Sequence, residues 1–473
     1  MTEKLRAEDF LQMRSEYLGA RNSENGVEVL KKLVGISEEQ VDENAWIDCK
    51  DVLTLIIEDM PSSELLSKYQ ILLLQAIPNC PPNVVDVLAT ILKRKTDITE
   101  LLNQSAIAVA VAFTRRVDEE VCNESVAQLI GPIASNDLIV TELKEQLQNL
   151  TGIRNSEGRF RIYQVLLEAV KSSNYSPKLE FIFKSVAEDL VNNSDVLTQL
   201  STIELLSDCA ITTPANAKIV SDLGLAGKVY EMLRESKNSP DGGFLYTACV
   251  RFLGSLARKY PEAIETFQEF LPLVVDMIAH FDLLDASQRM LAFDTFANIC
   301  YTDEAKDTVE RILSGSNQLQ KVLGNFGAAM NHGPVDLRVR HVDAASLMFE
   351  NIQEKTAIEW LGLMGGSAFL STILASLQKP FLDIRMVFLE FVDTIFAFPP
   401  IVLEFVRFAG FNEWLLDENS ETEYDSSRKK SEIIRKMIAK NGAQQFLDPE
   451  FVLKLKSYLL PKSTQQPQVE LAL

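Results

Sequence analysis

The sequence predicts an all-α chain built as a solenoid of helix pairs. Three observations carry this reading: a unit of about 45 residues recurs with the same apolar spacing, apolar residues follow helical periods, and no period-two pattern with hairpin turns occurs. The recurrence is plainest where Leu337-Arg338-Val339-Arg340 precedes Val342 and Leu382-Asp383-Ile384-Arg385 precedes Val387. Ile203 to Ala210 overlays Val250 to Ala257, and the same shift carries Pro214 onto Pro261. Phe293 to Cys300 and Arg161 to Val170 read as further copies. The period drifts because insertions fall in turns, while each pair must still bury its stripe against its neighbours. Over the chain this gives roughly ten helix pairs in one long curved body.

Residues 1–95 form divergent N-terminal repeats, punctuated by turn signals at Met60-Pro61-Ser62-Ser63 and Pro78-Asn79-Cys80-Pro81-Pro82. Ser62 or Ser63 is placed to cap a helix near Glu64, whose buried stripe is Leu65, Leu66, Tyr69, Leu72, Leu73 and Ala76. The regular repeats occupy residues 96–416. Ile107 to Phe113 is almost wholly apolar and sits between helical stretches, which favours a buried helix over a strand. Helix pairs follow over Glu119 to Leu150, broken at Gly131-Pro132, and over Gly158 to Asn192, broken at Ser172 to Pro177. Met386 to Phe411 is rich in apolar residues, but Glu390, Asp393, Pro399-Pro400, Glu404 and Arg407 interrupt it, so it reads as two core helices and a turn rather than a membrane span. Residues 417–430 are acidic and then basic, the pattern of an exposed charged loop. Residues 431–460 form C-terminal helices, and 461–473 a mobile tail.

The formal charge is −21, from 67 acidic against 46 basic residues. Such a surface repels nucleic acid and anionic lipid and attracts basic protein segments. The six cysteines lie far apart with no C-x-x-C pair, as expected of reduced, buried thiols. The N-terminus carries charge where a signal peptide needs an apolar core, so a cytoplasmic, or also nuclear, location is expected. None of the three histidines, His280, His332 and His341, has a second ligand at metal spacing. Neither a phosphate-binding loop nor a nucleophile elbow occurs, so no enzyme, cofactor or metal is expected.

Asp195 to Leu233 resembles an armadillo/HEAT unit: an amphipathic helix to Ala210, a turn at Pro214-Ala215-Asn216, a short helix through Ile219 and Val220, and Gly224 to Gly227 leading into another helix. The resemblance implies that the first helix lines a concave groove and offers binding side chains at two positions four residues apart. Carried over by register, these are Gln164 and Glu168, Glu204 and Asp208, Arg251 and Ser255, Asp294 and Asn298, and Glu390 and Thr394, a mostly acidic ladder. Four residues apart is one helical face, one turn on. Trp46, Trp360 and Trp414 all fall outside these positions.

A second resemblance is carried by Arg159 to Glu168, by Gly333 to Arg340 with Asp343-Ala344, and by Ala409 to Trp414. Lys429 to Ala439, Asp448-Pro449 and Leu453 to Leu459 extend it. In this order the stretches resemble the family of the non-ATPase regulatory subunit 5 of the 26S proteasome. That resemblance implies a C-shaped helical-repeat body that serves as an assembly chaperone of the regulatory-particle base, one that binds the C-terminal domain of an ATPase subunit among associated base subunits and keeps it from docking prematurely on the core particle. The repeat by itself supports a generic armadillo/HEAT scaffold or adaptor equally well.

Overall fold

A computed structural model describes residues 4–460, apart from 20–22, 35–40, 42–44, 62–65, 67–69, 121–122, 152–155, 193–194, 237–242, 316 and 440–442. The described residues are helical with no strand; an isolated bridge joins Leu5 and Val41. The chain divides into two compact units, Met1–Lys228 and Val229–Leu473.

The first unit contains α1 (Ala7–Gly19), α2 (Ser23–Val34), α3 (Trp46–Asp59), α4 (Gln70–Ala76), α5 (Pro82–Lys95), α6 (Ile98–Leu101) and α7 (Gln104–Thr114). There follow α8 (Asn123–Ile130), α9 (Asp137–Thr151), α10 (Ser156–Lys171), α11 (Glu180–Asn192), α12 (Val196–Thr212) and α13 (Pro214–Asp222). The unit boundary falls inside α14 (Leu225–Ser236). It does not fall near residue 95, because α5 stacks on α8 as closely as on α3. One row runs α1, α3, α5, α8, α10, α12, and beside it α4, α7 and α9 make a second.

The second unit contains α15 (Gly243–Lys259), α16 (Ala263–Thr266), α17 (Phe270–Ala279), α18 (Ala286–Ile299), α19 (Asp303–Leu313), α20 (Gln318–Ala329) and α21 (Val335–Phe349). It ends with α22 (Glu354–Leu363), α23 (Gly366–Leu377), α24 (Leu382–Ile395), α25 (Pro399–Arg407), α26 (Phe411–Leu416), α27 (Tyr424–Met437) and α28 (Pro449–Tyr458). Its main row is α15, α18, α21, α24, α27, with α17 and α20 packed together in a second row.

Caps set where the helices begin. Asp195 accepts from the N–H groups of Leu197 and Thr198 at 3.2 and 3.3 Å, and Thr213 accepts from Asn216 ahead of Pro214 in the first turn. Each supplies an acceptor to donors that the helix itself leaves unpaired, and proline there loses no needed hydrogen bond. Aromatic side chains tie successive pairs together: Phe293 meets Phe281 at 5.7 Å and Phe326 at 4.6 Å between ring centroids.

Donors that reach across a repeat hold the helix ends. The Lys95 ammonium donates to the carbonyls of Ile57 and Met60 at 2.7 and 2.6 Å, at the C-terminal end of α3. Asn216 donates to Val170 at 3.2 Å, Asn325 to Ile278 at 2.8 Å, and Lys436 to Asp393 at 2.6 Å. The fully buried Lys306 gathers the carbonyls of Tyr301, Glu350 and Asn351 at 3.3, 2.8 and 3.0 Å. One ammonium therefore touches the ends of both α18 and α21, which makes these neighbours parallel. Cations there also oppose the negative end of the helix dipole.

Residues 417–430 depart from the expected exposed loop. Helix α27 begins at Tyr424, and Glu421, Ser426 and Lys430 are buried. Arg385 pairs with Glu421 at 3.0 Å and with Glu423 at 2.5 Å. Lys430 donates to the carbonyls of Trp414 and Asp417, both at 2.8 Å, and to Ser420 Oγ at 2.7 Å. Burial is possible because the Lys430 ammonium and one carboxylate oxygen of Glu421 meet partners, which a count of charged residues does not reveal. Ser62, Ser63, Glu64, Leu65, Tyr69, Cys122 and the tail 461–473 lie outside the described residues. The other five cysteines are buried and free.

Candidate functional site

The positions carried over from the repeat sit on the two main rows, and each unit arranges them differently. In the first unit, Gln164 and Glu168 of α10 are half-buried and engaged. Gln164 Nε2 donates to Glu168 Oε1 at 3.5 Å, and Lys171 Nζ reaches the same oxygen at 2.8 Å. The turn at Gly131 also presses on Glu168: a Cβ at Gly131 would lie 2.5 Å from the Glu168 Cβ. On α12, Glu204 is exposed and Asp208 half-buried, and no hydrogen bond or ion pair engages either carboxylate among the described residues. These two are the available acidic groups of the predicted ladder in this unit.

In the second unit the mostly acidic ladder becomes a line of alternating charge. Arg251 on α15 is exposed and acts electrostatically on Asp294 of α18, and Arg340 of α21 pairs with Asp294 at 2.7 Å. Burial raises the pKa of Asp294, and the two arginines oppose that shift. Asp343, one turn on from Arg340, is raised by burial; Arg340 opposes the shift, while Glu390 of α24 and Asp294 add to it. Beside Glu390, Asp393 is held by Lys429 at 3.0 Å and Lys436 at 2.8 Å, both from α27. Burial of Asp393 is outweighed by these two ammonium groups, which keep its carboxyl below the usual range. Ser255 and Thr394 are half-buried, and Thr394 spends its hydroxyl on the Glu390 carbonyl at 3.0 Å. Asn298 accepts from Arg258 at 3.5 Å, and the Arg258 guanidinium lies 4.1 Å from the Tyr301 ring centroid.

Arg340, Asp343, Asp393, Lys429 and Lys436 therefore belong to this line and were not among the positions read from sequence. A signal existed, since Arg340 follows Asp294 at the repeat spacing. Apolar spacing does not reveal it, because that spacing fixes the buried side of each helix and not which polar residue meets a neighbouring repeat. The more exposed of these pairs, Arg340 with Asp294, contributes about 0–1 kcal/mol to stability.

Among the described residues no group of three histidine, cysteine or carboxylate side chains is arranged to hold a metal. His280 and His332 are exposed, and His341 is in the core. No single described helix is long and apolar enough to cross a membrane.

Among solved structures the chain is similar to a designed armadillo repeat protein, at 13% identity with a TM-score of 0.39, covering 53% of this chain and 97% of that one. It is also similar to an engineered protein, at 14% identity with a TM-score of 0.45, covering 92% and 98%. A curated relative, the 26S proteasome non-ATPase regulatory subunit 5 of Drosophila melanogaster, is 22% identical over 294 residues, which span 60% of this chain and 57% of that protein. The chain thus matches somewhat over half the length of that relative. The profile of the family described as proteasome non-ATPase 26S subunit matches residues 21–467, nearly the whole chain, and the chain belongs to that family.

Proposed function

We propose that this protein is an assembly chaperone of the proteasome regulatory-particle base. In this reading it binds the C-terminal domain of one ATPase subunit, together with associated base subunits, and prevents that domain from docking prematurely on the core particle. The observation that carries the reading is the family match from residue 21 to 467. The rows of helices add a physical means. Holding requires only a surface complementary to the client and a steric clash with the finished particle, so the client is released when its mature contacts outweigh the chaperone's. Neither nucleotide, metal nor covalent chemistry enters this cycle. The protein would work in the cytoplasm or nucleus.

The test is affinity purification of the tagged chain from its own cells, followed by mass spectrometry across a size-exclusion profile. Base ATPases should co-elute in complexes smaller than the complete particle. If another abundant partner appears and the ATPases do not, the protein is a scaffold or adaptor for a different complex.

A further inference from the structure

The second unit holds a cavity of about 450 Å³ that the charged line does not use, formed by α14, the beginning of α15 and α17. Tyr230, Tyr246 and Met277 line it as half-buried groups, while Arg234, Glu269 and Asp276 line it as exposed ones. Its volume lies within the range of built ligand pockets, roughly 300–1,000 Å³.

The polar chemistry of the lining is one-sided. Arg234 is committed to Glu269 at 3.4 Å, so that among the described lining residues Asp276 is the charge with no cation beside it. The Asp276 side chain is 76% exposed, and its recorded neighbour, His280 at 3.2 Å, does not line the cavity. The Tyr246 hydroxyl donates to the weak acceptor Met277 Sδ at 3.7 Å, so its oxygen still has acceptor capacity. The Tyr230 hydroxyl accepts from the Glu269 N–H at 3.3 Å, and its ring is fixed against Phe267 with centroids 4.9 Å apart. Burial raises the pKa of Tyr246, and the Asp276 carboxylate raises it further, as expected where negative potential meets a partly dry pocket. Aromatic faces, a thioether and a carboxylate suit a cation carried on an aliphatic stem.

We infer that this cavity is a docking pocket for a lysine or arginine side chain of a partner protein, with the aliphatic stem against Met277 and the tyrosine rings and the cation at the Asp276 carboxylate. The formal charge of −21 draws basic segments toward the protein, and the pocket supplies a place where one side chain is held. The inference stands whether or not the client is a proteasome ATPase.

The test uses the full chain labelled with ¹³C at its methionine methyl groups, with the Met277 signal assigned through Met277→Leu. The probes are the N-acetyl N-methylamides of lysine and arginine, with that of norleucine as the uncharged control. The Met277 methyl should shift saturably with both cationic probes and bind norleucine at least ~10-fold more weakly. Asp276→Asn, at an exposed position, should weaken the cationic probes by about 5-fold or more while the other methionine signals stay in place. A Met277 signal that does not move, equal binding of norleucine, or an Asp276→Asn variant that binds as well as the parent would each overturn the inference.

Discussion

The imidazole of His341 lies against the ring of Phe293, with centroids 4.3 Å apart and planes tilted by 40°. The contact joins α21 to α18, and His341 is 1% exposed. Its Nδ1 has no hydrogen-bond partner among the described residues. Burial, reinforced by the nearby Arg289 guanidinium, pulls its pKa down to about 4 from 6.5. A depressed pKa means that the unfolded chain takes up the proton first. The stability is then present above pH 6.5 and is lost as the pH falls through 4. At about 1.4 kcal/mol per pKa unit, the loss is roughly 3 kcal/mol. His341→Phe keeps a ring against Phe293 and removes the titration. In urea unfolding across pH 7 to 4, the parent should lose more stability than the variant, and identical pH slopes would show that the imidazole is not the group responsible.

Gly327 of α20 faces the Met364 main chain so closely that a Cβ would lie 2.0 Å from the Met364 carbonyl oxygen. Backbone cannot rotate away as a side chain can, so Gly327→Ala must separate α20 from the end of α22. We expect a loss of about 3 kcal/mol or more by denaturant unfolding, the range of severe overpacking. Gly227 of α14 has nothing within 4 Å of its Cβ position. Gly227→Ala should therefore stabilise by about 0.5–1 kcal/mol, through helix propensity and a less flexible unfolded chain. Equal effects at the two sites would disprove the close approach.

Lys306 serves three carbonyls from a fully buried position, and burial lowers its pKa to about 8, so it still carries its proton at neutral pH. Lys306→Met keeps most of the aliphatic stem and removes the donor. The carbonyls of Glu350 and Asn351 then lose their partner where α21 ends. A cost of about 1–3 kcal/mol is expected, the penalty for buried acceptors left unsatisfied. Hydrogen exchange should show the C-terminal turn of α21 opening more readily than its middle. Uniform protection along α21 in the variant would mean that the ammonium does not hold that end.

The helices were legible where burial followed a period. The breaks at Gly131-Pro132 and after Lys171, the cap of α12 at Asp195, and the helix over Gln104–Thr114 all coincide with caps, prolines or continuous apolar stretches in the sequence. Charge was less legible. Lys430 and Glu421 look solvent-facing because each is polar, yet both are buried through partners that come from other turns of the chain. The alternating line was hidden for the same reason: Asp294 reads as acidic surface until Arg340 is seen opposite it, a repeat away. Periodicity reports which side of a helix is buried, whereas the sign of a surface depends on neighbours that only the fold brings together.

Glu204 and Asp208 remain the sharpest test of the first unit's surface, because neither is engaged by another described side chain. On α12 they lie one turn apart on the same side, so both can meet one basic segment of a client. Replacing both by lysine breaks no recorded bond, and the unfolding free energy should change by no more than about 0.5 kcal/mol. Binding should respond differently, since reversing two carboxylates turns attraction into repulsion at the point of contact. In the affinity purification proposed above, the double variant Glu204→Lys/Asp208→Lys should recover far less client than the parent at equal expression. The loss should be greater at low salt, where the charges are least screened. Full recovery would remove α12 from the binding surface and direct attention to the alternating line through Asp294 and Asp343. Asp294→Arg would then be the next variant, placed opposite Arg340, where it converts the pair into a repulsion.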